Sequence, residues 1–469
     1  MSKIAPLLVA SAGAATFAQM WRIGVTFATH ILLRRMVPPE QFGVWTWAEP
    51  TFLILAQIRD LGLPAHVMRS PRRPWRRFFA LELGWGGAFS LAVLAAAPVV
   101  ALAYADRDAQ VVAMIRALCL FLFVQGLGSV ALTYFEAELQ VVRALPAELA
   151  RNLAFAGISL VLAWRGYGAW SMVVAHIASG VLFAALLWWA ARGRLRLERT
   201  PGSTRGLLAT TLPLAVMAIL ELIVYRLDPF VLGLRFESEV VAFAGLATYA
   251  AYFFSRHLAD PVGRALLPGM VRFRADPAQA FDAFRLATFL LTSFIVPTAF
   301  FLFVNAELAA LFLGGEEWVE SATYLRIISL VPLVRPLAMF GPDYLLTRHQ
   351  DRLLIVYTAV NLASLGGLGL ILTRTALGPI GMAVASYFPL GLVIVAWALH
   401  RADPVGLRRL ARESFELYAA GALLFGPVLL VAADHPWWRF GLSCLAGAAL
   451  LGYTWRRFGE DYRRFMRSA

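Results

Sequence analysis

The stretch WSMVVAHIASGVLFAALLWWA (170–190) runs directly into ARGRLRLERTPGSTRG (191–206). The first segment contains no Asp, Glu, Lys or Arg, and it is long enough to cross a bilayer, which takes roughly 20 apolar residues as a helix. The second segment is strongly basic. Because loops rich in Lys and Arg stay on the cytoplasmic side of a membrane, this pair predicts a transmembrane helix that ends in the cytoplasm.

Similar apolar segments recur along the whole chain of 469 residues, of which 60% are hydrophobic and 15% are charged. A soluble domain could not bury so much apolar surface, whereas lipid can. Lipid offers no hydrogen-bond partners to the backbone, so we expect helical spans. The fold class is therefore predicted to be an all-α polytopic membrane protein with about 14 transmembrane helices. The expected spans are 8–33, 43–62, 78–103, 111–135, 147–164, 170–190, 207–233, 240–260, 286–313, 320–343, 353–373, 380–399, 415–433 and 437–455.

Most arginines fall in alternate gaps between these spans. The positive-inside rule then places the even-numbered connections and both termini in the cytoplasm. The net charge of +13 is thus mainly a signal of topology. It does not indicate nucleic-acid binding, and contact with anionic lipids is secondary. The first span is too long for the apolar region of a cleaved signal peptide, so we expect it to be a retained helix.

The basic segment 191–206 divides the chain into two similar halves. We predict a six-helix bundle over 1–203, a second six-helix bundle over 204–400, and a final helix pair with a basic cytoplasmic tail over 401–469. A weak internal echo supports two pseudo-symmetric bundles, although chance similarity is an alternative. It relates VPPEQFGVWTW (37–47) and DLGLPAHVMR (60–69) to RFESEVVAFAGLA (235–247) and DPVGRALLPGMVR (260–272). This organisation is typical of transporters with a central pathway.

Several charged and polar residues lie inside the predicted spans, where a charge costs about 2.5–3.5 kcal/mol on insertion scales. We interpret them as the lining of a hydrated, cationic cavity. Arginine suits phosphate because its planar guanidinium donates paired hydrogen bonds, and aromatic side chains suit sugar rings. The candidate diphosphate-binding residues are Arg22, Arg226, Arg326 and Arg335. The candidate coupling or counter-ion carboxylates are Glu49, Glu221 and Asp228. The candidate sugar-contacting residues are Gln19, Trp45, Tyr225, Tyr249 and Tyr252.

Structural ion pairing is the alternative interpretation of these charges. Candidate pairs are Arg226 with Glu221 or Asp228, Arg256 with Asp260, and Arg59 with Asp60. Arg22 has no partner on its own helix, which favours a role in the cavity.

Histidines and cysteines give no sign of a metal site. His30, His66, His176 and His257 are not spaced as metal ligands, and each is expected to be a satisfied polar group. Cys119 and Cys444 lie in apolar spans and are expected to be buried thiols. The sequence implies neither a metal nor a cofactor.

Five short motifs carry a resemblance to a known family. They are LLRRMVPPEQFGVWTWAEP (32–50), DLGL (60–63), RGYGAWSMVVAHIASG (165–180), FLGGEEW (312–318) and ALGPIGMAVAS (376–386). Together with the number of spans, they resemble the Wzx-type oligosaccharide flippases of the multidrug/oligosaccharidyl-lipid/polysaccharide exporter superfamily. One departure is Ala242-Phe243-Ala244, where that family usually has Gly-x-Tyr.

The resemblance implies movement of a polyprenyl-diphosphate-linked oligosaccharide across a bacterial inner membrane, as part of O-antigen, capsule or exopolysaccharide synthesis. Its implied partners are this glycan, membrane lipids and polysaccharide polymerase machinery, without nucleic acid. No Walker A motif is present, and the protein is not expected to be an enzyme.

Two other functions stay open. An ion-coupled drug exporter of the same superfamily would have an acidic, arginine-poor cavity and usually about twelve spans. A membrane-embedded polymerase or glycosyltransferase commonly needs a large outer loop, whereas the predicted outer loops have room for roughly ten residues or fewer.

Overall fold

The computed structural model describes residues 4–69, 73–101, 109–138, 140–198, 204–272, 277–334, 336–348, 350–387, 390–431 and 435–468. Within these ranges all regular secondary structure is helical, without a β-strand. This confirms the predicted all-α fold of a polytopic membrane protein. Eight described segments are long and apolar enough to cross a membrane by length and composition. The total of about 14 spans stays a prediction.

Residues 1–242 form the first of two compact units. Within it, α5 packs against α4 and α7, α6 packs against α1 and α7, and α2 packs against α8. The helices are α1 (Ile4–Arg34), α2 (Pro39–Asp60), α3 (Leu63–Arg69), α4 (Trp75–Ala101), α5 (Ala109–Ala137), α6 (Val141–Trp164), α7 (Ala169–Ala191), α8 (Thr204–Gly233) and the first residues of α9 (Ser238–Arg272).

Residues 243–469 form the second unit. It contains the rest of α9, then α10 (Pro277–Val304), α11 (Ala306–Gly314), α12 (Ser321–Ile328), α13 (Pro336–Thr347), α14 (Asp351–Leu372), α15 (Ile380–Ala385), α16 (Gly391–Ala402), α17 (Pro404–Val431) and α18 (Pro436–Ser468). Within it, α10 packs against α13, α17 and α18.

The boundary between the two units falls inside α9. Helix α8 belongs to the first unit, where it packs against α2. The helix pair α17 and α18 packs with the second unit. The bundles predicted over 1–203, 204–400 and 401–469 were defined from the sequence repeat and not from packing. They stay predictions.

The expected single helix over 320–343 is interrupted. Helix α12 ends at Ile328, a short 3₁₀ turn covers Val331–Val334, and α13 begins at Pro336. Pro332 lies in this turn. Proline has no backbone N–H and cannot continue an α-helical hydrogen-bond ladder, which explains why an apolar stretch of sufficient length does not form one helix.

Two of the gaps between the predicted spans are largely helical. The gap 261–285, between the spans 240–260 and 286–313, contains the end of α9 at Arg272 and the start of α10 at Pro277. In the gap 400–414, between the spans 380–399 and 415–433, α17 begins at Pro404. Hydropathy marks only the apolar part of a helix, whereas arginine-rich ends continue as helix because arginine has a high helix propensity.

Close packing of α2 depends on two glycines. A Cβ at Gly43 would overlap the backbone carbonyl of Ser238, and a Cβ at Gly233 would overlap the indole of Trp47. Trp47 is fully buried, and its ring stacks on Phe230 with centroids 6.3 Å apart. Only a residue without a side chain fits at 43 or 233 while these elements stay in place.

A buried ion pair joins α2 to α4. The Nη1 atom of Arg59 donates to Oε2 of Glu82 at 2.5 Å, and both side chains are almost completely buried. The sequence-based pairing of Arg59 with its neighbour Asp60 was therefore wrong in its partner, although Asp60 interacts electrostatically with Arg59. Gly126 on α5 leaves the room that the pair occupies. A contact across helices satisfies the buried guanidinium better than an adjacent residue, because successive side chains of a helix point in different directions.

A second buried ion pair joins α10 to α17. The Nη1 atom of Arg285 donates to both carboxylate oxygens of Glu413, at 2.8 and 2.9 Å. Arg409 donates to the same carboxylate at 2.9 Å. Near the other end of α10, the amide of Asn305 donates to Ser443 Oγ of α18 at 2.9 Å. These bonds attach the last helix pair to the second unit.

The two cysteines differ in exposure. Cys119 is buried as predicted, and its Sγ donates to the carbonyl of Ile115 at 3.0 Å. Cys444 is exposed, so the prediction of burial was wrong for this residue. An exposed apolar position is ordinary on a membrane helix, because lipid replaces protein as its neighbour.

We expect Glu413→Ala to destabilise the protein by roughly 3–5 kcal/mol, because it leaves Arg285 buried without its counter-ion. The matched control is Arg412→Ala on the same helix, whose side chain is 79% exposed in its pair with Glu416 and is expected to contribute about 1 kcal/mol or less. Thermal unfolding of both variants in one detergent measures the difference. Equal midpoints would show that the buried pair does not hold α17 on α10.

Gly43→Ala is expected to lower the midpoint of thermal unfolding, because the added methyl meets the Ser238 backbone and overpacking costs typically about 1–3 kcal/mol. Gly24→Ala is the control, since nothing lies within 4 Å of its Cβ position. Both changes gain similar helix propensity, about 1 kcal/mol, so the contact is what distinguishes them. A Gly43→Ala protein as stable as the Gly24→Ala protein would contradict the close approach of residues 43 and 238.

Candidate functional site

Arg22 lies near the middle of α1 and its side chain is exposed. It donates a hydrogen bond through Nη2 to the amide oxygen of Gln19, one turn earlier on the helix. The two predicted site residues are thus brought together, and the expectation that Arg22 lacks a partner on its own helix was wrong. The partner is neutral, because an amide accepts a hydrogen bond without cancelling the charge. An exposed cation at mid-helix needs water or an anion beside it.

Arg151, on α6, is a second cation in the same unit that the sequence analysis did not select. Its Cζ lies 5.1 Å from the ring centroid of Phe183 on α7. Its charge interacts with Glu148, three residues earlier, and with Arg22 on α1, which packs against α6. The signal that could have found it is the one that found Arg22: a charge inside a predicted span, here 147–164.

Trp45 is buried on α2 and packs against His176 of α7, with ring centroids 5.9 Å apart. His176 also contacts Phe52, Phe121 and Phe155, at centroid distances of 5.6, 4.6 and 6.1 Å. The imidazole therefore lies in an aromatic cage, and it interacts electrostatically with Arg151 on α6. In this conformation Trp45 is a packing residue, and its contact with sugar stays a prediction.

The carboxylates Glu49 on α2 and Asp228 on α8 are both half-buried. Each has an interaction partner. Their role as coupling or counter-ion groups stays a prediction.

Arg326 is a predicted diphosphate-binding residue in the second unit. It lies on α12, is exposed, and donates through Nη2 to Oε1 of Glu307 at 2.5 Å. The other oxygen of Glu307 lies 3.9 Å from Nη1 of Arg439. Arg326 therefore has a carboxylate partner here, unlike Arg22, and its binding of a diphosphate stays a prediction.

The two tyrosines of α9 differ in exposure. Tyr252 is buried, and its backbone carbonyl accepts a hydrogen bond from Ser255 Oγ at 3.1 Å. Tyr249 is half-buried, and its ring lies 5.6 Å from that of Phe253. Their contact with sugar stays a prediction.

The remaining candidates fall outside the described part of the molecule. These are the side chains of Glu221, Tyr225, Arg226 and Arg256, the side chain of Asp260, and residue Arg335. Across the described residues, no group of three or more His, Cys, Asp or Glu side chains is arranged to hold a metal ion.

A separate cavity of about 440 Å³ lies where several helices of the first unit begin. Its lining is acidic, with Glu40 from the start of α2 and Glu237 and Glu239 from the start of α9. Gln41 also lines it, and Gly168, which has a φ of 51°, lies directly against the Gln41 amide. Two motifs of the resemblance, PPEQFG (38–43) and RGYG (165–168), thus meet at this cavity. The predicted topology places it on the outer side.

The first unit therefore has two polar features of opposite character. Arg22, Gln19 and Arg151 form a cationic group at mid-helix, and the glutamates form an acidic cavity near helix ends. The two features lie at different positions along the helices, so the interior of the unit does not need a single electrostatic character.

The chain matches a known protein family. The family model described as "Polysaccharide biosynthesis protein" matches residues 32–323, which is more than half of the chain. The chain belongs to the polysaccharide biosynthesis protein family. Comparison with curated proteins gives no match. The matched residues include four of the five motifs in full, all except ALGPIGMAVAS (376–386), so the resemblance seen in the sequence is confirmed.

Several solved structures have a similar fold. The lipid II flippase MurJ, in an inward closed conformation, has a TM-score of 0.75 and 13% identity, covering 97% of this chain and 99% of its own. An inward-facing multidrug resistance MATE family transporter of the MOP superfamily has a TM-score of 0.65 and 16% identity, with 83% and 96% covered. A MOP superfamily transporter from Pyrococcus furiosus, described as having a binding pocket of reverse polarity, has a TM-score of 0.58 and 16% identity, with 85% and 96% covered. This member of the polysaccharide biosynthesis family therefore has the MurJ- and MATE-like fold.

Proposed function

We propose that the protein flips a polyprenyl-diphosphate-linked oligosaccharide from the cytoplasmic to the outer leaflet of a bacterial inner membrane. The glycan would serve surface polysaccharide or exopolysaccharide synthesis. Membership of the polysaccharide biosynthesis family supports this substrate class. The fold shared with a protein named as a lipid II flippase supports the flipping of a lipid-linked molecule.

The proposal depends mainly on the surroundings of Arg22. Its charge is exposed within an apolar helix, and its hydrogen-bond partner is a neutral amide. Guanidinium donors that remain open suit a diphosphate, which accepts paired, charge-assisted hydrogen bonds. The neighbouring amide of Gln19 would suit sugar hydroxyls.

In the proposed mechanism, the headgroup enters from the cytoplasmic side and binds through Arg22 and Arg226, while the polyprenyl tail stays in lipid. Arg326 and Arg335 would take the diphosphate as the two bundles rock and the cavity opens outward. Glu49, Glu221 and Asp228 are the candidate coupling carboxylates. An ion gradient or the membrane potential would supply the free energy. No covalent bond changes, so we propose a transporter and not an enzyme.

The membrane orientation is part of the proposal. Both termini and the basic segment 191–206 would be cytoplasmic, because the arginines concentrate on that side. A polysaccharide polymerase is a candidate partner on the outer side, where the flipped glycan is delivered.

The acidic cavity favours one alternative, an ion-coupled exporter of cations. Glu40, Glu237 and Glu239 would attract a cationic compound, and the MATE-like fold is compatible with export. This alternative leaves the cationic mid-helix group without a role, and for that reason we prefer the flippase.

Arg22→Ala is expected to abolish export of the glycan, because the headgroup loses its charged contact on α1. A strain lacking the gene is complemented with wild-type protein, with Arg22→Ala, or with Arg196→Ala. Arg196 is an exposed arginine of the basic segment outside the spans, so its variant is the matched control. Surface polysaccharide and polyprenyl-linked glycan in extracted lipid are measured, with protein abundance determined by immunoblot.

The proposal predicts accumulated lipid-linked glycan and little surface polysaccharide in the deletion strain and in the Arg22→Ala strain. The wild-type and Arg196→Ala proteins should restore normal levels of both. Normal surface polysaccharide in the deletion strain, combined with sensitivity to cationic drugs, would replace the flippase by the exporter. Full complementation by Arg22→Ala at normal abundance would remove Arg22 from the binding site.

A further inference from the structure

Arg151 is positioned to share an anion with Arg22. Both helices are predicted to run from the cytoplasmic to the outer side, and α1 packs against α6. Arg22 and Arg151 each lie about three to four turns before the end of their helix, at 3.6 residues per turn. They therefore lie at similar depth on neighbouring helices, and their charges interact.

Within the described part of the chain, the N–H donors of Arg151 have no hydrogen-bond acceptor. Its described contact is the face of the Phe183 ring, and among the described side chains none forms a hydrogen bond or an ion pair with its guanidinium. A ring face attracts the cation but accepts none of its N–H groups in the way that an oxygen does. The planar donor edge of Arg151 thus remains available to a ligand.

The nearby carboxylate does not make Arg151 a closed structural pair. Glu148 interacts with Arg151 at long range, outside ion-pair distance, and it is also repelled by Glu136 at the end of α5. The buried pairs in the same protein look different, since Arg59 and Arg285 each bond directly to a carboxylate, at 2.5 and 2.8 Å. The fold can neutralise an arginine by direct pairing, and no described carboxylate pairs in this way with Arg151.

We propose that Arg151 and Arg22 together bind the diphosphate of the lipid-linked substrate, with one phosphate approached from α6 and the other from α1. An anion between two guanidinium groups removes their mutual repulsion and fills donors that are otherwise open. Glu136 and Glu148, near the cytoplasmic ends of their helices, flank the approach to this pair. The proposal rests on the flippase function and adds a specificity-determining residue to it.

Binding of a long-chain polyprenyl diphosphate to the full-length protein in nanodiscs of neutral lipid tests the assignment. The variants are Arg151→Gln, which removes the charge, and Arg151→Lys, which keeps the charge but loses the planar fork. Arg143→Gln is the matched control, because Arg143 is exposed at the start of the same helix. The dissociation constant is measured with radiolabelled ligand, and the thermal midpoint of each unliganded variant is recorded. Inorganic diphosphate and phosphatidylglycerol serve as competitors.

Arg151→Gln is expected to weaken binding about tenfold or more, as for the loss of a charge-assisted contact. Arg151→Lys should give a smaller loss, and Arg143→Gln none. Inorganic diphosphate should compete in wild type and only weakly in Arg151→Gln. A structural role alone would lower the thermal midpoint without changing affinity.

Wild-type affinity in Arg151→Gln would overturn the assignment and leave the flippase proposal intact. If that variant does not fold, wild-type affinity in Arg151→Lys would overturn it equally. Competition by phosphatidylglycerol as strong as by polyprenyl diphosphate would make the pair a general lipid-phosphate site and overturn its assignment to the substrate. Wild-type protein that binds no polyprenyl diphosphate would instead reject the proposed function itself.

Discussion

The free-energy cost of a charge inside an apolar layer organises this protein. An unpaired ion is expensive in a membrane, so each charged side chain needs a counter-ion, water or a ligand. Arg59 and Arg285 meet this requirement through buried carboxylates contributed by other helices. The same bonds join α2 to α4 and α10 to α17, and thereby help to fix the helix arrangement of each unit.

Arg22 and Arg151 meet the requirement in another way. They bond directly to no described carboxylate, and the bond of Arg22 goes to an amide. Water or a bound anion must therefore compensate the charges of Arg22 and Arg151. This requirement is the physical basis of the flippase proposal. A buried pair and an open cation are indistinguishable by composition, yet their consequences differ. Removing one partner of a buried pair is expected to destabilise the protein, whereas removing an open cation is expected to weaken substrate binding.

Glycine has a comparable role for packing. At Gly43 and Gly233 the helices approach so closely that a methyl group would overlap a neighbouring backbone or an indole ring. Backbone positions cannot rotate away as a flexible side chain can, so the approach depends on the absence of a Cβ. The PPEQFG segment therefore combines a helix start at Pro39, an acidic cavity wall at Glu40 and a close helix contact at Gly43.

Hydropathy and arginine distribution alone determined the all-α membrane fold, because lipid imposes helices and a minimum apolar length on any chain that crosses it. Short motifs determined the family. The sequence also selected Arg22 and Gln19, since charges within apolar spans are rare enough to be informative. The structure added two local features, the bond from Arg22 to Gln19 and the turn at Pro332 that interrupts a predicted helix. Only the tertiary structure decided that Arg59 pairs with Glu82 and that the helices of Arg22 and Arg151 pack against each other. Both depend on which helix faces which, and the spacing of residues along one chain does not contain that information.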